Sequence, residues 1–137
     1  MREILFRGKR VDNGEWVISN SFYQCNGKIK LWDEQNRDGY VEVEKETVGQ
    51  YTGLTDKNGK KIYEGDIVKD EYGRIMEVVW RENLAKFALK LIKTTGEKWT
   101  ENFLYADMGE WFDLANHLPE VIGNIHDNKE LLGEQYG

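Results

Sequence analysis

Apolar and polar residues alternate in short runs along this chain, with glycine, asparagine and aspartate between the runs, and the period-2 pattern predicts a β-rich fold. Residues 3–10 and 15–20 are two β-compatible runs separated by Val11, Asp12, Asn13 and Gly14, where Asn and Gly tolerate the positive φ of a tight hairpin. In the second run Trp16 and Ile18 share one face, and Glu15 and Val17 take the other. The device recurs around Asn26-Gly27, which joins residues 23–25 to residues 28–32. There Ile29 and Leu31 point one way and Lys28, Lys30 and Trp32 the other. Residues 33–39 carry no apolar side chain and predict an exposed loop, the best candidate boundary.

Short strands are expected over 40–43 and 47–52, followed by a turn-rich segment at 55–61. Further strands follow over 66–69, 74–81 and 86–92. Met76, Val78 and Trp80 share a face, as do Phe87, Leu89 and Leu91, and strands at such short spacing suggest a small barrel. Thr95-Gly96 offers another turn, after which 98–100 continue the sheet. Between 103 and 115 the apolar residues Leu104, Met108, Trp111, Phe112 and Ala115 lie three or four apart, a spacing that favours one or two amphipathic helical turns, weakened by Gly109. Pro119 marks an extended re-entry and 121–125 a closing strand. A short C-terminal helix is expected after it, with Asp127 as N-cap, Leu131 and Leu132 as its apolar side, and Gly133 as its left-handed terminus.

Composition narrows the function classes. Hydrophobic residues make up 39% of the 137 and aromatics 12%, enough for a core, and the 32% of charged residues mix both signs. The net charge of −6 argues against a chain whose whole surface grips nucleic acid, leaving only a local basic patch. No apolar stretch approaches the roughly 18–20 residues of a membrane helix, and Glu3 and Arg7 bracket the apolar start, so no secretory segment is read. With Cys25 as the one cysteine, no intrachain disulfide forms. The expectation is a cytoplasmic protein without membrane contact.

Three stretches together resemble the YopX family of small phage and prophage proteins: residues 1–8 (MREILFRG), 48–68 (VGQYTGLTDKNGKKIYEGDIV) and 120–132 (EVIGNIHDNKELL). The central stretch is the most specific; Lys129 stands where such sequences often carry proline, and residues 9–47 and 69–119 match no motif. The resemblance implies a β-dominated fold and a bacterial or phage origin, and it carries no catalytic residue over to this chain. In the central motif Asp56 suits a turn by bonding the backbone two residues on, with Gly59 at positive φ. The step Glu64-Gly65-Asp66 into Ile67 is one that SH3-like barrels often use. The motif reads mainly as structure, with a binding lip as the functional alternative.

Catalytic and cofactor chemistry finds no constellation. An EF-hand loop started at Asp56 would place Lys60 at position 5 and Gly59 at position 4, against the acidic ligand and the glycine at 6 that the loop needs. His117 and His126 lie nine apart with no zinc-type spacing, and His126-Asp127 is explained by a capping Asp beside a surface His. Cys25 lacks the helix N-terminus or paired His that activates a thiol. Gly49, Gly53, Gly59 and Gly65 are too dispersed for a phosphate cradle, and carboxylate pairs such as Glu42/Glu44 and Glu64/Asp66 read as solvated faces. No cofactor or metal is expected, and no enzymatic activity.

Aromatics carry more weight. Trp16, Trp32, Trp80, Trp99 and Trp111 are many for so small a core, and Trp32 shares a strand face with Lys28 and Lys30. Core packing is the bland reading for each. Exposed Trp and Tyr among lysines suit either an interface hot spot or base stacking, while Lys86, Lys90 and Lys93 read as the wet face of a strand. The expected architecture is mainly β: N-terminal hairpins over 1–46, then an SH3-like barrel over 47–137 with a short C-terminal helix. The expected function is a non-enzymatic phage or prophage accessory protein that binds a host or phage protein. The alternative is a nucleic-acid-binding small barrel, and homo-oligomers through open strand edges are a further expectation. The candidate surface comprises Lys28, Lys30 and Trp32 together with Lys57, Asn58, Lys60, Lys61 and Tyr63.

Overall fold

The computed structural model describes residues 3–94, 105–108 and 118–132. The chain is mainly β, its paired strands run antiparallel, and it divides into two compact units, Met1–Gly53 and Leu54–Gly137.

In the first unit β1 (Phe6–Lys9) pairs with β2 (Trp16–Ser19) from Phe6↔Ser19 to Lys9↔Trp16, and its start also pairs with the first residues of β6 (Gly49–Thr55). A three-stranded sheet follows in the order β3 (Phe22–Cys25), β4 (Lys28–Asp33), β5 (Gly39–Val43). Asn26 at φ 54° and Gly27 at φ 74° form the two-residue turn that the Asn-Gly pair demands, fixing the register Cys25↔Lys28 and Tyr23↔Lys30. The polar stretch 33–39 joins β4 to β5, which pair from Asp33↔Gly39, so it is a hairpin loop within one sheet. Val17, Leu31 and Val43 form the buried centre, flanked by Phe6, Ile29, Val41 and Val48. The inner face of β2 is thus that of Val17, while Ile18 lies exposed. Gly8 lets β1 approach this core: a Cβ there would lie 3.0 Å from both Cβ and Cγ2 of Val43.

In the second unit five strands are ordered β11 (Tyr105–Asp107), β10 (Lys86–Thr94), β9 (Arg74–Arg81), β8 (Asp66–Lys69), β12 (Glu120–Asn124), with β7 (Lys61–Tyr63) preceding β8. Ile67 and Val68, adjacent in β8 and therefore pointing to opposite faces, are both fully buried, so both faces of the sheet are covered there. One core holds Ile62, Val68, Met76, Val78, Leu89, Met108 and Val121; the other holds Ile67, Ile75 and Ile92 beneath Ile122, Ile125, Leu131 and Leu132.

Two expectations are corrected. Within 103–115, residues 105–107 are a strand, because β10 offers an open ladder: Leu89 pairs with Ala106, Lys86 reaches Asp107 at 2.5 Å, and Arg81 lies 4.0 Å over the Tyr105 ring. Met108 is helical, and the rest of that stretch lies outside the described residues, as do the 95–96 turn, the 98–100 strand and Gly133. The C-terminal helix is only a four-residue 3-10 turn, Lys129–Leu132. Ahead of it Asn124 Oδ1 accepts from the N–H groups of His126 and Asp127 at 2.9 Å, which commits residues 124–127 to a local turn, so the helical turn starts only at Lys129.

The turns of this unit share one construction. Asp56 Oδ1 accepts from the N–H groups of Asn58 and Lys60 at 2.8 and 2.9 Å, with Gly59 at φ 81°. Asp70 Oδ1 accepts likewise from Tyr72 and Arg74 at 3.0 and 2.9 Å, with Gly73 at φ 82°. Each is a type I turn closed by a glycine in the left-handed region, pinned from inside by a buried carboxylate. Asp56 does one thing more: its Oδ2 accepts from Val121 N–H at 3.0 Å, across 65 residues of sequence. Burial alone would push this carboxyl up, yet the N–H groups of Val121, Lys60 and Asn58 together hold it below the usual range.

Replacing Gly8 by Ala should destabilise the protein by about 1–3 kcal/mol, since the added methyl meets a buried β-branched side chain, and urea denaturation measures it. Asp56→Ala should cost about 2–4 kcal/mol, mostly from the buried Val121 N–H left without an acceptor. Because the Asp56 pKa is depressed on folding, its stabilisation is complete above the unfolded carboxylate range near pH ~4 and is lost as pH falls through the lower folded value. Unfolding curves at stepwise lower pH should therefore converge for wild type and Asp56→Ala.

Candidate binding surface

One face of the β3-β4-β5 sheet carries the aromatic residues that the core does not absorb. Alternation puts Lys28, Lys30 and Trp32 on the same side of β4, as their spacing predicted. The register then adds what spacing alone does not give: Tyr23 lies opposite Lys30, Glu42 opposite Lys30 on the other flank, and Tyr40 opposite Trp32. Tyr23, Trp32 and Tyr40 are 47%, 41% and 45% exposed. Their rings nevertheless touch, Trp32 meeting Tyr40 edge-on with centroids 5.2 Å apart and Tyr23 meeting Tyr40 at 5.7 Å.

Polar contacts fix this cluster. The Trp32 indole N–H donates to Glu34 Oε2 at 2.7 Å, and the Tyr40 hydroxyl is hydrogen-bonded to the Ser21 hydroxyl. Hydrogen bonding with Cys25 pushes the Tyr23 hydroxyl above its ordinary value. Lys28 Nζ lies 3.9 Å from Glu42. The face is thus aromatic and close to charge-balanced.

The other half of the expected surface belongs to the second unit. Lys57, Asn58, Lys60 and Lys61 are exposed on the Asp56 turn, Lys57 lying 3.5 Å from Glu120. Tyr63 does not join them. It is buried beside Ile62, because β7 is covered on both sides, and its N–H donates to Asp66 Oδ2 at 2.8 Å. Trp80 is 41% exposed but packs on Phe87 at 4.9 Å, extending the core face of β9 to its rim, and Trp16 lies under Arg7 with the guanidinium 4.9 Å from the ring. Trp99 and Trp111 lie outside the described residues.

An ionic cluster in the first unit escapes sequence reasoning. Arg10, buried at the end of β1, donates to Asp33 at 2.9 Å, to Asp38 at 2.7 Å, and to both oxygens of Asp12 at 2.9 and 2.7 Å. The Asp12 bonds, then those of Asp38, raise the guanidinium far beyond its ordinary value, and the Arg10 bonds in turn lower the Asp12 carboxyl. Burial works to raise Asp33, but bonds from Asn36 and Arg10 bring it below the usual range. The cluster ties the 10–15 turn to the 33–39 loop and so supports the strand ends that carry Trp32 and Tyr40. The concentration of Asp in that loop, with Arg10 beside Asp12, was the available signal. Among the described residues no group of His, Cys, Asp and Glu is arranged to hold a metal ion, and no helix is long and apolar enough to cross a membrane.

The family model described as YopX protein matches residues 5–133, and the chain belongs to the YopX family. Among solved structures it is similar to the crystal structure of protein EF1440 from Enterococcus faecalis, at 24% identity and a TM-score of 0.48, over 96% of this chain and 99% of that one. No curated protein matches it.

Arg10→Ala leaves Asp33 buried without its cation, so it should lower the unfolding free energy by about 3 kcal/mol or more. Arg10→Lys should recover only part of this, because an ammonium cannot fork to three carboxylates. Denaturant midpoints of the two variants measure both effects.

Proposed function

We propose that this protein is a non-enzymatic accessory protein, encoded by a phage or prophage and acting in the bacterial cytoplasm, that binds another protein through the aromatic face of the β3-β4-β5 sheet. The observation that carries the reading is the contiguous cluster of Tyr23, Trp32 and Tyr40, each more than two-fifths exposed and held in place by ring contacts and hydrogen bonds. Aromatic side chains fixed in this way lose little entropy on binding and dominate the energetics of interfaces.

Charge favours a protein over a nucleic acid. A polyanion is held by cations whose counterions are released, yet Lys28 is opposed by Glu42, and the indole of Trp32 is already engaged by Glu34. The five antiparallel strands of the second unit, with both faces covered, suit a small barrel of the SH3-like kind.

Affinity capture from bacterial lysate, with and without phage infection and with and without nuclease, should recover the same protein from both nuclease arms. Trp32→Ala and Tyr40→Ala should weaken that recovery at least about tenfold, equivalent to ~1.4 kcal/mol or more. Undiminished recovery by both variants would sink this reading. Recovery abolished by nuclease would transfer it to nucleic acid and to Lys28, Lys30, Lys57, Lys60 and Lys61.

A further inference from the structure

We infer that β3 is a self-pairing edge, at which two copies of this chain join antiparallel about a two-fold axis through Tyr23, fusing their three-stranded sheets into one of six strands. The inference is argued from the backbone groups of the sheet's rim and does not rest on the partner proposed above, although Tyr23 belongs to both surfaces.

Among the described strands β3 stands out because each of its four residues is exposed. It is the first strand of the order β3-β4-β5 and so has a neighbour on one side only. The opposite margin of the sheet is engaged: Val11 N–H donates to Glu42 O at 3.0 Å, Glu44 N–H to Lys9 O at 2.8 Å, and Arg10 bridges Val43. Natural edges are guarded by lysine, proline, a bulge or an inward charge. The sequence Phe22-Tyr23-Gln24-Cys25 has none of these, and its pairing with β4 runs without a register shift.

The hydrogen-bond phase determines which groups the edge offers. In a two-residue hairpin the closing pair is hydrogen-bonded, so Cys25, and by alternation Tyr23 and Ser21, direct their backbone groups at β4, in line with the bond from Trp32 N–H to Ser21 O. Phe22 and Gln24 therefore point their N–H and C=O outward. With Tyr23 on the axis, Phe22 of one copy meets Gln24 of the other and the reverse, so both donors and both acceptors of each copy are matched without offset. An isologous contact requires this self-complementarity.

Charge permits the same pairing. The chain carries a net charge of −6, which separates copies in general, but this edge is uncharged. Across the joined sheet the order on the aromatic face would be Glu42, Lys30, Tyr23, then Tyr23, Lys30, Glu42 of the copy, following the observed register. The two Lys30 side chains stand three strand spacings apart, roughly 14 Å, beyond the screening length of about 8 Å at physiological salt. The two tyrosines at the axis make the two aromatic faces continuous.

Sedimentation velocity of the full chain over rising concentration should show a monomer passing to a dimer, with the weak affinity of a small interface. Gln24→Pro and Gln24→Lys should each keep the protein monomeric. Gln24 N–H makes no ladder bond, so proline is tolerated there, and an unchanged far-UV spectrum verifies the fold. In a Cys25→Ser background, Tyr23→Cys should form an interchain disulfide on mild oxidation, because residues facing across the axis lie within bridging distance, whereas Gln24→Cys, offset by two residues, should not. A monomer at every concentration, a dimer indifferent to both Gln24 substitutions, or cross-linking at position 24 as readily as at 23 would each overturn the inference. The Gln24 variants keep Trp32 and Tyr40, so a lost dimer and a lost protein partner are separate results.

Discussion

A buried carboxylate, Asp56, clasps the start of the second unit to its closing strand. Asp56 pins its own turn through one oxygen and takes the N–H of Val121 through the other. Around that bond the flanking segments close on each other: Lys57 N–H donates to Pro119 O at 3.1 Å, Ile125 N–H to Gly65 O at 2.9 Å, and β12 pairs along β8 from Glu120↔Lys69 to Asn124↔Asp66. These contacts join chain segments some sixty residues apart, so their loop-closure entropy is large, and a local contact could not replace them. A hydrogen bond to a buried, ionised acceptor is among the stronger ones available for the purpose.

This geometry gives two of the stretches that resemble the family a structural part. Residues 48–68 and 120–132 are the two halves of the clasp, supplying Asp56, Gly59, Gly65 and Asp66 on one side and Val121, Gly123 and Asn124 on the other. At Gly123 a Cβ would lie 2.5 Å from Asn128 Oδ1, the atom that accepts from Asn124 N–H. At the start of the chain, Gly8 is set by the approach of β1 to Val43. These stretches supply residues that close the fold, while the exposed aromatic face lies between them, in the stretch 9–47.

The same contrast decides how much was legible in advance. Strands β9 and β10 could be read because alternation and burial agree there, and the β3-β4 hairpin because Asn26-Gly27 admits only a narrow set of turns. The short Tyr105–Asp107 strand was misread because apolar spacing of three or four residues is a local signal, and an unpaired ladder on β10 outweighed it. Tyr63 was expected in the surface with Lys57, Asn58, Lys60 and Lys61, but it lies buried beside Ile62 in its strand. Trp32 and its lysines were visible as one face of one strand. Tyr23 and Tyr40 became part of the surface only through cross-strand register, and Arg10 became a buried hub only through the return of the 33–39 loop; neither relation is encoded in nearest-neighbour spacing.

What remains is why a protein with an otherwise well-covered core should keep three aromatic rings half in water. Burying them inward would move Leu31 and Val43 outward, because a strand's two faces exchange together when its register slips. The sheet can bury one set only, and the aliphatic set fills the narrow space beneath Gly8 that a tryptophan could not enter. The aromatic set is left outside by exclusion and is then fixed there by Ser21, Glu34 and the ring contacts, so its exposed area is rigid before any partner arrives. Apolar area held rigid in water is the state from which association gains most and loses least.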